Sequence, residues 1–468
     1  MYKKVAQVAL IFVFLISTFS LTAEERLLRI KGSNTIGERL MPALVESWLE
    51  ENNVQSVQTT ILGEQELHLR IDQHDFLPSL IEISSHGSST GFQALHENQV
   101  ELAMSSRAIR NSEVESLLPL GTMNTPEHEV VLALDGVAVI IHPNNPLKEL
   151  SVDKLQHIFT GDITDWSEVT DHSGPINVYA RDNNSGTYEV FKNLVLREGK
   201  IANDTQRYES NALLAADVAN DELAIGFTGF TGFAYVEQSG AKAVAISDGG
   251  AAVLPTRLSI ATEDYPLSRR LFLYISDPLD PIVQSFVTSV LSNKGQKIVA
   301  KEQFIALDIF SSEVELPKYA PAEYLELIDQ AQRLSLNFRF DQSQARLDSK
   351  AARDIDRLVE YIFDHSSTVS ELMILGFSDS LESTEVNSQI LSVTRADSIA
   401  KALIESGVPP TRVRGYGSAI PVADSQSESG AAKNRRVEVW IKTQSEDDFK
   451  PYSWTANKIK REFENSSL

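Results

Sequence analysis

Four short loops in this chain share one composition. They are GSNTIGERL (residues 32–40), HGSSTGFQAL (86–95), MSSRAI (104–109) and RDNNSGTYEVF (181–191). Three of them run straight into a helix-like pattern, and three carry an arginine. The first N–H groups of a helix lack internal partners and point outward at the positive end of the helix dipole. Glycine lets a tetrahedral oxyanion approach the backbone, hydroxyls donate further hydrogen bonds, and arginine supplies charge and a planar donor fork. Ser, Thr, Asn and Gly are also ordinary helix caps, so any single loop reads equally well as a capped helix. The repetition is what points to an anion.

The surroundings of these loops read as α/β over residues 24–310. Strand-like runs such as VAVII (137–141) and INVYA (176–180) alternate with amphipathic stretches. In RLMPALVESWLE, Leu40, Leu44 and Trp48 fall at the spacing of one helix face. In an open α/β sheet, loops at the C-terminal strand ends are where ligands bind. GFTGFTGF (226–233) departs from a dinucleotide fingerprint and reads as a glycine-rich strand and turn.

A chain of 468 residues is too long for one core. Residues 311–329 carry two prolines and several acids and read as a linker or boundary helix. Fully extended, they would reach at most about 60 Å. A second unit follows over 330–445. DIDRLVEYIF places Ile355, Leu358, Val359 and Ile362 on a helix face. RADSIAKALIESG places Ala396, Ile399 and Leu403 likewise, with Gly407 ending the helix. ELMILGF and RRVEVWI read as strands. The tail, 446–468, is polar. Nothing in the sequence links the two units, so independent domains are the expectation.

A formal net charge of -23 repels nucleic acid and anionic membranes, so neither is expected as a partner, and an anion site must win locally. With 0 cysteines there is no disulfide, thiol nucleophile or Cys-ligated metal. The nine histidines are scattered, with no metal-binding spacing, and no cofactor is expected. Lys3 and Lys4, the apolar run VALIFVFLISTF and the small residues of LTAEE read as a secretory leader over 1–23, with cleavage after Ala23. The mature chain is expected to be exported and periplasmic.

KELSVDKLQHIFTGDITDWSEV (148–169), preceded by LDGVAVIIHPNNP, together with YPLSRRLFLYI (265–275) and NKGQKIV (293–299), resembles the phosphate-binding periplasmic proteins of ABC importers. The resemblance covers about residues 27–308. It implies a two-lobed clamp with inorganic phosphate between the lobes and an ABC permease as partner, and leaves delivery, storage and sensing open as roles. It implies ligation by Thr35 and the N–H of Ile36, by Ser88, and by Arg181 with Ser185, Gly186 and Thr187. One branch has an aspartate where this chain has Ser106, followed here by Arg107. That carboxylate accepts a proton from phosphate and rejects sulfate. Asp135 and Asp182 are the candidates to replace it.

LGFSDSLESTEVNSQILSVTRADSIAKALIESGV, VRGYGSAIPVADS and KNRRVEVWI resemble the OmpA-like peptidoglycan-binding domain over about 332–444. That resemblance implies that Asp379 and Arg395 clasp the two ends of a diaminopimelate residue, with Asn387 nearby. Three features depart from the family. Phe377 replaces a histidine, a glycine soon after the aspartate is absent, and the segment from Asp379 to Arg395 is one residue longer. Asn434, Arg435 and Arg436 read as structural or rim residues.

The fold class expected is therefore α/β, a two-lobed clamp followed by a smaller α+β OmpA-like domain. The function expected is non-enzymatic phosphate capture by a protein held on the cell wall. Two other classes are kept: a wall-bound structural, sensing or adhesive protein with a general oxyanion clamp, and a phosphatase using Ser185. The second lacks a base beside that serine in sequence.

Overall fold

The computed structural model describes residues 25–444, apart from 55, 64, 73–78, 184, 316–319, 341, 343–346 and 383–384. The leader (1–23) and the polar tail (446–468) lie outside the described residues. Among the described residues no helix is long and apolar enough to cross a membrane.

The first lobe is built on β1 (Glu25–Gly32), β2 (Val57–Gly63), β3 (Glu66–Ile71), β4 (Ser79–Ser84) and β5 (Leu102–Ser105). The long β6 (Glu129–Ile141) leads into the second lobe, which holds β7 (Glu149–Ser151), β8 (Asn177–Arg181), β9 (Gln206–Tyr208), β10 (Ala224–Gly229), β11 (Lys242–Ala243) and β12 (Ala245–Ser247). The chain then returns through β13 (Ser268–Ile275). One sheet runs through both lobes in the order β2-β3-β4-β1-β5-β13-β6-β10-β8-β9. All of β6 is buried, as its unbroken apolar run around Asp135 and Gly136 requires. β6 pairs with β13 up to Gly136 and with β10 from Val137 onward, so it passes from one lobe to the other between those two residues.

The helices follow the sequence pattern. Leu40, Leu44 and Trp48 are buried on helix Leu40–Glu51, and the Trp48 ring meets Phe286 edge-on at 5.6 Å. The second lobe centres on Phe159, Phe191 and Phe227, the last two stacked at 3.9 Å. GFTGFTGF is the end of β10 followed by a turn at Phe230–Gly232 and helix Phe233–Ser239.

The C-terminal unit is a sheet of β14 (Ser311–Ser312), β15 (Gln332–Arg339), β16 (Val369–Gly376), β17 (Arg412–Gly415) and β18 (Arg436–Thr443), in the order β14-β15-β18-β16-β17. Strand alternation gives β16 two apolar faces. Leu372 and Ile374 pack with Leu358, Ile362 and Leu403 from helices Ser349–Asp364 and Glu385–Glu405. Met373 and Leu375 pack with Tyr324 and Ile328 of helix Ala322–Ile328. The described part of the segment read as a linker is thus folded onto this unit: β14 extends its sheet and Tyr324 donates to Glu438 Oε2 at 2.9 Å. The two units are also not independent bodies. Arg270 of β13 pairs with Asp348 at 2.7 Å, and Arg333 of β15 pairs with Asp264 at 2.8 Å. Sequence pattern misses this because the partners lie far apart in the chain.

Candidate functional site

All four loops converge where the lobes meet. β1 ends at Gly32, whose φ of 141° and close approach to Met104 O leave no room for a side chain. The short helix Asn34–Gly37 follows and carries Thr35 and Ile36, the Ile36 side chain being fully buried. From β5, Ser106 donates its N–H to Ser88 Oγ at 3.1 Å, and the two hydroxyls lie 3.2 Å apart. From the other lobe, Ser185 caps helix Gly186–Phe191 by accepting the N–H of Thr187 at 3.2 Å. A side chain at Gly186 would strike Thr35 Oγ1, at 2.4 Å from the added carbon. The lobes are therefore in contact across the cleft, and glycine is what permits it.

The residue that ties these loops together is Arg269, on β13. Its Nη2 donates to Thr35 Oγ1 at 3.0 Å and to Gly186 O at 3.4 Å, and its Nη1 to Ser106 O at 3.4 Å. Nε and Nη2 both reach Asp135 Oδ2, at 3.2 and 3.1 Å. The pair is buried, at 8% and 7% side-chain exposure. Sequence reasoning quoted the motif that contains Arg269 but did not place it in the site. The consecutive arginines in an otherwise apolar strand were the available signal. Asp135, a candidate proton acceptor, faces Arg269 with one oxygen and accepts the Gly136 N–H at 2.8 Å with the other. Asp182, the alternative, accepts the Ser185 N–H at 2.9 Å and so shapes its own loop.

Arg181 ends β8 and turns toward the loop after β9. Its Nε donates to Tyr208 O at 3.1 Å, Nη2 to Glu209 O at 2.7 Å, and Nη1 to Asn211 Oδ1. All three acceptors are uncharged. Burial pulls its pKa down, with Asp182, Glu38 and Glu209 opposing. A half-buried guanidinium whose hydrogen bonds among the described residues go to neutral oxygens keeps its charge available to an anion. Arg107 is differently placed. It makes a two-pronged pair with Glu113 at 2.7 and 2.8 Å and reaches Ser89 Oγ at 3.1 Å. With Arg110, Ser88, Glu189 and Asn193 it lines a cavity of about 480 Å³ that opens between the lobes. It stands at the mouth of the cleft rather than at its centre.

In the C-terminal unit, Asp379 and Arg395 are both buried, at 1% and 0% exposure. Arg395 makes a two-pronged pair with Glu382, at 2.8 and 2.6 Å. Asp379 accepts from Ser425 Oγ at 2.6 Å, from Asn434 Nδ2 at 3.1 Å and from the Leu381 N–H at 2.9 Å. Glu382 follows Asp379 by three residues, in the turn where the expected glycine is absent. Phe377 lies between Arg436, 4.0 Å from its ring centre, and Tyr416. Asn387 is exposed on the first turns of helix Glu385–Glu405. Asn434, Arg435 and Arg436 are buried, with Asn434 Oδ1 accepting the N–H groups of Val422 and Ala423.

The comparisons with known proteins agree with this division of the chain. The family model described as "PBP superfamily domain" matches residues 55–294, just over half of the chain, and the "OmpA family" model matches residues 339–435. Protein SphX of Synechococcus elongatus is 29% identical over 228 residues, covering 46% of this chain and 66% of that protein. Phosphate-binding protein PstS of Pseudomonas aeruginosa is 29% identical over 246 residues, covering 48% of this chain and 74% of that protein. The chain thus spans about two thirds of the first relative's length. Among solved structures, an ABC-type phosphate transport receptor from Vibrio cholerae aligns with TM-score 0.45 at 24% identity, over 59% of this chain and 99% of that one. PstS from Borrelia burgdorferi aligns with TM-score 0.48 at 22% identity, over 60% and 99%. A two-lobed sheet with its glycine- and hydroxyl-rich loops meeting at the interlobe cleft, matched over more than half the sequence, belongs to the PBP superfamily, and in this chain an OmpA family domain is joined to it.

Proposed function

We propose that this chain binds inorganic phosphate in its interlobe cleft, as a periplasmic capture protein for uptake through an ABC permease, and that its C-terminal domain associates with peptidoglycan. The observation that carries the first part is the meeting of Thr35, Ser106 and Gly186, from both lobes, on the buried Arg269. Ser88, Ser185 and Thr187 add hydroxyls, the Ile36 N–H adds a backbone donor, and Arg181 supplies a charge held, among the described residues, by neutral oxygens. The named relatives support phosphate as the anion. Asp135 and Asp182 are the acceptors available to read a proton on the ligand, in place of the aspartate that Ser106 replaces.

Titration calorimetry of the full mature chain with phosphate and with sulfate tests this, on either side of the phosphate monoanion–dianion transition. Phosphate is expected to bind tightly and sulfate weakly. Arg181→Ala is expected to weaken phosphate at least about 30-fold, the scale of removing one partner of a buried charge pair. Equal binding of both anions would make the cleft a general oxyanion clamp, and no binding of either would sink the transport reading.

The Glu382–Arg395 pair favours a second reading for the C-terminal domain. A diaminopimelate carboxylate would have to displace a carboxylate already seated on Arg395, and diaminopimelate recognition by Asp379 and Arg395 needs that exchange. On this reading the domain serves chiefly as a partner for the clamp. Retention of the full chain on purified sacculi separates the two: strong retention supports wall association, and none favours the second reading.

A further inference from the structure

Strand β13 presents its successive residues to opposite sides. Arg269 faces the cleft. Arg270 faces the C-terminal domain, where it pairs with Asp348 at 2.7 Å and with Glu263 at 2.8 Å. The turn that leads into β13 is held by the same domain. Asn337 and Arg339 donate to Thr262 O, at 2.9 and 2.7 Å, and both also reach Asp264 Oδ1, at 3.0 and 3.1 Å. Lys433 donates to Tyr265 O and Pro266 O, at 3.1 and 3.2 Å. Within this turn Glu263 has a φ of 61°, a left-handed conformation that a glutamate adopts only where its surroundings hold it.

The turn sits at the passage between lobes. Tyr265 Oη donates to Val137 O at 2.8 Å, and the Val137 N–H reaches Leu267 O at 3.0 Å. Val137 is where β6 leaves β13 for β10. The C-terminal domain also touches the body on both sides of that point. On the first-lobe side, Arg353 donates to Glu129 O at 2.8 Å and to Pro126 O. On the second-lobe side, the Asp424 N–H reaches Asp248 O, beyond β12, and Gly249 and Gly250 lie directly against Asp424 and Val422.

We propose that the C-terminal domain is a brace across the interlobe hinge, so that its docking and anion capture in the cleft strengthen each other. This rests on the phosphate reading above. A rigid domain that touches both lobes and the strand between them fits one interlobe angle. Here that angle is the closed one, with Arg269 and Gly186 in contact across the cleft. Opening the lobes must break the Pro126–Glu129 contact, the Asp248–Gly250 contact, or the grip on the turn. By linkage, whatever docking adds to closure it adds to anion affinity, and the anion adds the same amount to docking. A partner that draws the C-terminal domain away would release the anion.

Two measurements on the full chain test this. Arg353→Ala/Lys433→Gln removes interdomain bonds that all go to backbone carbonyls, and leaves no carboxylate stranded. Calorimetric titration with inorganic phosphate is expected to show affinity at least about fivefold weaker than wild type, the low end of ordinary coupling. Undocking is read separately, as an increase in radius of gyration by solution scattering. An undocked variant with wild-type affinity overturns the brace. Hydrogen exchange on the wild type needs no variant. Phosphate should slow exchange in β15 and in residues 424–434, which lie outside the cleft, and unchanged exchange there also overturns the brace. Wild type that binds no phosphate overturns the functional reading beneath it, a distinct result.

Discussion

The interlobe cleft and the C-terminal domain treat buried arginine in opposite ways. In the cleft, Arg181 spends its hydrogen bonds on Tyr208 O, Glu209 O and Asn211, and Arg269 divides its donors between one carboxylate, Asp135, and three uncharged acceptors. In the C-terminal domain, Arg395 is closed by Glu382, and Arg333 and Arg339 by Asp264. Placing charge in a protein interior costs energy that only good partners offset. Where the chain supplies those partners itself, the result is a joint. Where it supplies neutral ones, a site is left with charge to offer a guest. Composition cannot reveal which arginine is which, because the difference lies in partners that are distant in the chain.

The largest test of this contrast is Arg269→Ala. It strands the Asp135 carboxylate at 7% exposure and is expected to cost about 3–5 kcal/mol of stability, read by denaturant unfolding. A loss below 1 kcal/mol by that measure would show that Asp135 is carried by the Gly136 N–H and solvent, and would remove Arg269 as the keystone. Next comes Glu382→Gly, which deletes the internal carboxylate from Arg395. Sacculus retention is expected to rise by about tenfold, equivalent to about 1.4 kcal/mol. Unchanged retention would mean that Arg395 is a joint and never a receptor.

The smallest effect concerns acid. Burial raises the pKa of Asp264, but Arg333, Arg339 and Arg436 outweigh it and hold the group at about 2, below its ordinary 3.8. A carboxylate depressed on folding contributes stability that is complete above its unfolded value and fades as pH falls through its folded one. The joint should therefore hold at pH values above 3.8 and weaken progressively as pH approaches about 2. Thermal unfolding followed across that window is expected to lose its cooperativity between clamp and C-terminal domain. Asp264→Asn should remove that pH dependence.

Much of the framework was legible. The spacing of Leu40, Leu44 and Trp48, the run around Val137 and the face of Ile355, Leu358 and Ile362 each marked an element and its buried side. Glycine and hydroxyl placement put Thr35, Ser88 and Ser185 at helix starts, of which Ser185 alone of the three caps its helix with its side chain. What escaped was whatever depends on distant partners. Arg269 reaches Thr35 across 234 positions, and its neighbours in sequence, Ser268 and Arg270, do not say which of the two arginines meets the cleft. The joint escaped for the same reason, since Asp264 is an ordinary turn acid until β15 arrives beside it. Glu382 was legible only as a missing glycine. Its seat on Arg395 depends on the turn conformation, which no periodicity encodes.

The alternation of β13 has an evolutionary consequence. Adding or deleting a single residue just before Arg269 would rotate the strand by one pleat and send the two arginines to each other's stations. The guanidinium that meets the loops would then point at the joint, and the one that meets Asp348 would point into the cleft. Length changes should accordingly be purged from this short segment even where conservative substitutions pass. Descendants that shed the C-terminal domain should be free to change the residue at 270 while keeping the one at 269.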